Sequence, residues 1–123
     1  MIHEYILTKL TGSTLNTTCH GNFFNEFFVD TFDFTSSDAI VFELRVRKTI
    51  TYDFFEYELV FKILSIDNDT CYTIKDSIIS LFNGDLGNGL VRFMRFDSED
   101  MVFDDNLNVY TLNLNFTLNY EKK

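Results

Sequence analysis

From Val109 to Tyr120 the chain alternates almost without fault: Tyr110, Leu112, Leu114, Phe116, Leu118 and Tyr120 share one parity, and Thr111, Asn113, Asn115, Thr117 and Asn119 the other. A period of two is that of an extended strand with one face buried, which predicts a closing strand over Leu107 to Tyr120, roughly 45 Å long if fully extended. The same pattern marks Ala39 to Lys48, where Ile40, Phe42, Leu44 and Val46 alternate with Glu43, Arg45 and Arg47, a sheet strand with one wet face. Glu56 to Ile66 carries apolar residues on both parities, Leu59, Phe61 and Ile63 against Val60, Leu64 and Ile66, and is predicted to be a central strand covered on both faces near its end.

Between these strands the period changes. Over Asp69 to Gly84, Cys71, Ile74, Ile78, Leu81 and Phe82 recur at helical spacing, while Thr73, Asp76, Ser77 and Ser80 lie toward the other side. The spacing predicts an amphipathic helix, capped at its start by Asp67 or Asp69 and ended by Asn83-Gly84 in a left-handed conformation. A shorter helix is predicted from Ile2 to Leu10, with Ile2, Ile6, Leu7 and Leu10 on one side and Gly12 ending it. Thr11 to Asn22 has the composition of a loop. Phe23 to Phe34 fits either period, and a short extended segment after Asn25 is the preferred reading.

The connections follow. Thr49 to Phe55 links the first two long strands without a tight-turn signal, which leaves Tyr52, Phe54 and Phe55 as candidates for exposure. Asp85 to Gly89 is a glycine-rich link that lacks the Lys-Ser/Thr of a phosphate-binding loop. Leu90 to Phe96 reads as a strand, and Asp97-Ser98-Glu99-Asp100 with Asp104-Asp105-Asn106 as an acidic loop. Together these elements predict an α+β fold: a mainly antiparallel sheet of four to five strands, a short N-terminal helix, and one longer helix packed on the sheet. At 123 residues the chain is expected to form a single domain, residues 1–123.

Composition narrows the function classes. Fifteen Phe and six Tyr, with no Trp and no Pro, suit pleated surfaces and a large core. A formal net charge of −9 repels nucleic acid and anionic membrane, so specific binding to either is not expected. Met1-Ile2-His3-Glu4 lacks the basic start of a secretory signal, and no apolar run reaches the ~18 residues of a membrane span, so a cytoplasmic location is expected. Cys19 and Cys71 have neither metal-ligand spacing nor a disulfide framework; Cys71 reads as a core thiol, and Cys19 beside His20 as an incidental pair in a loop.

No motif for catalysis is present. His3 and His20 lack a patterned Ser, Cys or Asp partner, and no two carboxylates stand out as an acid–base pair. The acidic segment could coordinate a hard cation but lacks EF-hand spacing. The expectation is therefore a non-enzyme with no cofactor and no metal.

The strands Ala39 to Lys48 and Glu56 to Ile66, the helix Asp69 to Asn83, and the strands Leu90 to Phe96 and Leu107 to Tyr120 occur in an order that resembles the tail terminator (tail completion) proteins of long-tailed bacteriophages. Two stretches carry the resemblance most clearly. One is Tyr57 to Gly84, a strand running straight into a capped helix that ends in Asn83-Gly84. The other is Val109 to Phe116, which is similar to a "Val-Tyr-x-x-x-x-x-Phe" close in small tail proteins. The chain departs from the family in having no proline in the stretch entering the first strand. Small neck and minor capsid proteins share the same pattern.

The resemblance implies a virion protein, made in the host cytoplasm, that forms a ring of usually six subunits on the end of the tail tube. Such a ring stops tube polymerisation and presents a surface to the head connector. Its partners would be other copies of itself, the tail tube protein and the connector or neck protein, and an acidic lumen would let DNA pass without sticking. The exposed aromatics Tyr52, Phe54 and Phe55 and the amides Asn113, Asn115 and Asn119 on the polar row of the last strand are the expected interface residues. Two other classes fit the composition: a small-molecule-binding domain with a Phe-lined cleft, and an acidic inhibitor-type domain.

Overall fold

The last strand occupies the middle of the sheet. In the computed structural model, which describes residues 2–19, 22–25, 38–49, 54–85, 91–106 and 108–121, the chain runs α1 (Ile2–Thr11), α2 (Leu15–Thr18), β1 (Phe23–Asn25), β2 (Ala39–Thr49), β3 (Phe54–Ser65), α3 (Asn68–Phe82), β4 (Gly84–Asp85), β5 (Val91–Asp104) and β6 (Val109–Glu121). The strands form one sheet in the order β1-β2-β3-β6-β5-β4, so β6 lies between β3 and β5. All neighbours are antiparallel except β1 and β2. The fold is α+β as expected; four long strands make the body of the sheet, and the short β1 and β4 extend its two edges.

Alternation in β6 sorts the sheet into two faces. Leu112, Leu114, Phe116 and Leu118 are buried on the face that α3 covers, together with Ile40 and Phe42 of β2, Leu59, Phe61 and Ile63 of β3 and Met94 of β5. From α3 come Cys71, Ile74, Ile78 and Phe82, and from the N-terminal segment Ile6, Leu10, Leu15 and Cys19. The Phe61 ring is central, 5.0 Å from Phe82, 5.5 Å edge-on from Phe116 and 6.4 Å from Phe42. Phe96 extends this row of rings into β5, 5.5 Å from Phe116. The side chains of the opposite parity face away from α3, and at one end of that face Ala39, Val41, Leu64 and Val109 are buried with Phe24 packed on them. Val60 is buried there as well, which makes β3 the doubly covered strand that its composition predicts.

The helix α3 forms where the period changes. Asp67 is its N-cap: one carboxylate oxygen accepts from the Asp69 amide at 3.2 Å and the other from the Thr70 hydroxyl at 2.9 Å. The C-terminal prediction needs a correction. Asn83 is extended (φ −78°) and Gly84 alone takes the positive φ, +115°, which frees the Asn83 side chain to accept from the Phe96 amide at 2.9 Å and tie the helix end to β5. Leu81, expected in the buried stripe, is only partly buried at its edge.

Other departures have local causes. Leu7 faces solvent at 41 % exposure, because the described core-facing side of α1 is set by Ile6 and Leu10 with Tyr5 packed beside them. The segment predicted as a loop contains the one-turn helix α2, too short to show a period, and it carries Leu15 and Cys19 into the core. Strand β3 begins at Phe54 and stops at Ser65, and Ile66 lies beyond it, 52 % exposed. Phe54 and Phe55 are therefore rungs of the ladder, opposite Glu121 and Tyr120, and not part of a connection; Tyr52 lies outside the described residues, as do His20, the segment 26–37 and most of the glycine-rich link.

The largest correction concerns the acidic stretch. Asp97 to Asp100 are strand, because β5 continues to Asp104 through a bulge between Phe96 and Ser98. Backbone pairing with β6 outweighs the low strand propensity of the acids. Only the later acids form a turn, where the Asn106 amide donates to Asp104 Oδ1 at 2.9 Å and Asn108 takes φ 56°.

Candidate interaction face

The polar row of β6 forms the floor of the sheet face that α3 does not cover. Thr111, Asn113, Asn115 and Thr117 are half-buried along it. On one flank, β3 presents Glu58, Val60 and Lys62 opposite Thr117, Asn115 and Asn113, with Glu43 and Arg45 of β2 beyond. On the other flank, β5 presents Arg95, Ser98 and Asp100 opposite Thr117, Asn115 and Asn113. Short side chains in the middle and long ones at the sides leave two shallow depressions. One, of about 500 Å³, is lined by Glu56, Glu58, Asp97, Ser98, Asn115 and Thr117 among others; the second, about 300 Å³, by Arg45, Val60, Lys62, Asp100, Asn113 and Asn115.

Much of the polarity is satisfied within the chain. The bulge turns Asp97 toward Arg95 and Thr117: Arg95 Nε donates to Asp97 Oδ1 at 2.8 Å, and the Thr117 hydroxyl donates to Asp97 Oδ2 at 2.5 Å. Partial burial pushes the Asp97 carboxyl up, but the hydrogen bonds from Thr117 and Arg95 and the guanidinium's charge outweigh it and hold the group below the usual carboxylate range. The same hydrogen bond and charge raise Arg95 further. Arg45 pairs with Glu43 at 2.5 Å, and Lys62 reaches the same carboxylate at 3.7 Å. Asn115 Nδ2 donates to Ser98 Oγ at 3.1 Å.

Of the interface residues expected from sequence, the structure places Asn113 and Asn115 side by side in the depressions and Asn119 at the far end of the same row. Asn119 Oδ1 is buried with no partner among the described residues. Phe54 and Phe55 pair two and one rungs beyond Asn119, so their backbones reach this end of the sheet. The charged partners Arg95, Asp97, Glu58 and Lys62 were not expected at the face. Parity could have placed Arg95 beside the Asn/Thr row, but the bulge that turns Asp97 to it leaves no trace in the sequence.

Among the described residues no three His, Cys, Asp or Glu side chains converge to hold a metal ion. Neither thiol is in a disulfide, and both are buried. Burial, with the charge of Asp38 second, pushes Cys19 up to about 12 and Cys71 to about 11, so both are protonated and unreactive near neutrality. Cys71, the expected core thiol, points its sulfur at the Ile63 carbonyl, 3.7 Å away; Cys19, expected in a loop, is equally buried. No described helix is long and apolar enough to cross a membrane.

No family model and no curated protein matches the sequence. The fold does have a counterpart. The chain is similar to one in the solved structure of the virion of a native gene transfer agent particle, with a TM-score of 0.69 over 94 % of this chain and 91 % of that one, at 10 % sequence identity. The likeness establishes a shared fold across nearly the whole length of both chains.

Proposed function

We propose that this protein is a structural component of a phage or phage-like virion, acting as a tail terminator: a ring, of six subunits in the family it resembles, that sits on the last disc of the tail tube, stops its growth and joins the tail to the head connector. The observation that carries the reading is the fold shared over nearly the full length of both chains with a protein of a virion particle. The order of strands and helix along the sequence, which resembles that of the terminator family, supports the reading as well. The broad, shallow face along β6 fits a role in protein contact better than one in enclosing a small molecule, which is the job of deep, mostly apolar pockets.

In this role the chain acts by binding alone, without cofactor or metal. Its partners are its own copies, the tube protein and the connector, and its place is the virion after assembly in the host cytoplasm. The acidic surface lets DNA pass through the ring without being held.

Purified tube protein polymerised with and without this chain tests the reading. Electron microscopy should show tubes that stop growing at a blunt end bearing an added ring; tubes of unaltered length and bare ends overturn it. A neck or minor capsid protein of the same fold would leave tube length unchanged and bind connector instead. Phe54→Asp with Phe55→Asp refines the test at the sheet end where Asn119 lies. The double variant should fold, by circular dichroism, yet fail to cap. Unimpaired capping by the folded variant removes these residues from the interface, and loss of folding assigns them to the core.

A further inference from the structure

Four of the five large apolar side chains exposed among the described residues, Ile66, Tyr72, Val102 and Phe103, lie at one end of the molecule. We propose that this end is a docking surface for a second protein whose apolar contact is bordered by Lys and Arg. It is the end where β3 and β5 stop, β6 starts and α3 begins: Tyr110 pairs with Ser65 on one side and with Phe103 on the other. The Phe103 ring meets that of Tyr110 edge-on at 5.1 Å, and the Cys71 sulfur lies 3.9 Å from the Tyr110 carbonyl, so the first turns of α3 stand beside this pair. The Lys75 ammonium lies 5.6 Å from the centre of the Tyr72 ring and bonds Glu99, which turns the Tyr72 side of α3 toward β5. Met101 and Tyr110, packed against the core, are only half-buried. Tyr72, Met101, Phe103 and Tyr110 thus form an apolar strip between α3 and β5, bordered by Val102 and by Ile66 just beyond β3. Exposed apolar side chains scattered singly are ordinary; four gathered at one end mark a contact.

The charge around the strip selects the partner. Residues 63–74 and 101–112, which build this end, carry Asp67, Asp69, Asp104 and Asp105 and no Lys, Arg or His. Asp67 accepts from the Asp69 amide and the Thr70 hydroxyl, and Asp104 from the Asn106 amide; these donors are neutral and leave the negative charge in place. The cation next along α3, Lys75, is already paired with Glu99. A second copy presenting the same end would set acid against acid, and the phosphates of nucleic acid or anionic lipid are repelled in the same way. A protein surface that is apolar at its centre and basic at its edge is attracted: the aromatics supply the area buried, and the acids steer and orient the encounter.

The inference deepens the proposed function and rests on it only for the partner's identity, which in that reading is a virion protein other than this chain, the tube protein or the connector. An amphipathic helical peptide of Leu and Lys, titrated into the isotope-labelled chain and followed by NMR, tests the surface without that identity. Amide shifts should concentrate in residues 66–72 and 101–105, binding should weaken with added salt, and a Leu/Glu peptide of the same pattern should not bind. Tyr72→Ser with Phe103→Ser, both at exposed positions, should weaken binding about tenfold or more. Asp69→Asn with Asp105→Asn leaves the apolar strip whole and should weaken binding several-fold and flatten its salt dependence. Circular dichroism controls for folding, and the charge variant carries the test alone if the aromatic one fails to fold.

Shifts centred elsewhere, or equal binding by the folded variants, overturn the docking surface and leave the terminator reading intact; so do variants that cap tubes and bind connector as the wild type does. A wild-type chain that takes the Leu/Lys peptide at this end but caps no tubes upholds the surface and overturns the terminator reading. Self-association of the wild type that these variants abolish assigns the end to contact between copies and overturns the choice of partner.

Discussion

Asp97 occupies the extra position of the β5 bulge, and a carboxylate suits that position. A bulged residue leaves the regular alternation, so its side chain can reach along the face to partners on two strands. Because the folded-state pKa lies below the unfolded value of about 3.9, folding releases a proton when pH falls between them. The ion pair's contribution to stability is thus full above the unfolded value and is lost as pH falls through the folded one. Asp97→Asn should lower the melting temperature at pH 7 by a small, measurable amount, and calorimetry should show that deficit shrinking as pH falls below the unfolded value of about 3.9 and through the lowered folded one. A deficit for Asp97→Asn that does not change with pH would mean the bulge does not depend on the carboxylate's charge.

The elements were largely legible in the sequence where burial is one-sided and regular. The parity of β6 and the stripe of α3 report directly which side chains meet the core, and α3 lies within a residue or two of its expected bounds. What was missed is set by partners remote in sequence. The continuation of β5 through four acidic or polar residues depends on a full-length neighbour in β6, and α2 is held by the core contacts of Leu15 and Cys19, which a one-turn segment cannot advertise. The interface candidates divide in the same way: Asn113 and Asn115 follow from parity and lie on the face away from α3, whereas the place of Phe54 and Phe55 in the ladder has no turn signal between β2 and β3 to announce it. Stability should follow observed burial. Ile78→Ala removes a fully buried side chain between α3 and the sheet and should cost roughly 2–5 kcal/mol in chemical denaturation, while Leu81→Ala, at the edge of the stripe, should cost less than half as much. Equal losses would place the core-facing side of α3 differently.

For the molecule as a whole, the two cysteines provide a built-in test of cooperativity. Cys19 follows the N-terminal helices and Cys71 lies in α3, yet both are buried in one continuous apolar cluster. If the chain unfolds as a unit, alkylation of the native protein should be negligible for both thiols and, as denaturant is raised, should proceed at one common rate. Earlier labelling of Cys19 would show that the N-terminal segment opens separately. The central position of β6 has a mechanical meaning as well. It is laced to β3 and β5 along its length, with ladder bonds that run perpendicular to the strand. Tension applied along β6 would load both ladders in shear, all rungs at once, whereas the outermost strands can be peeled away one rung at a time. A load passing down this molecule is carried best along its last strand.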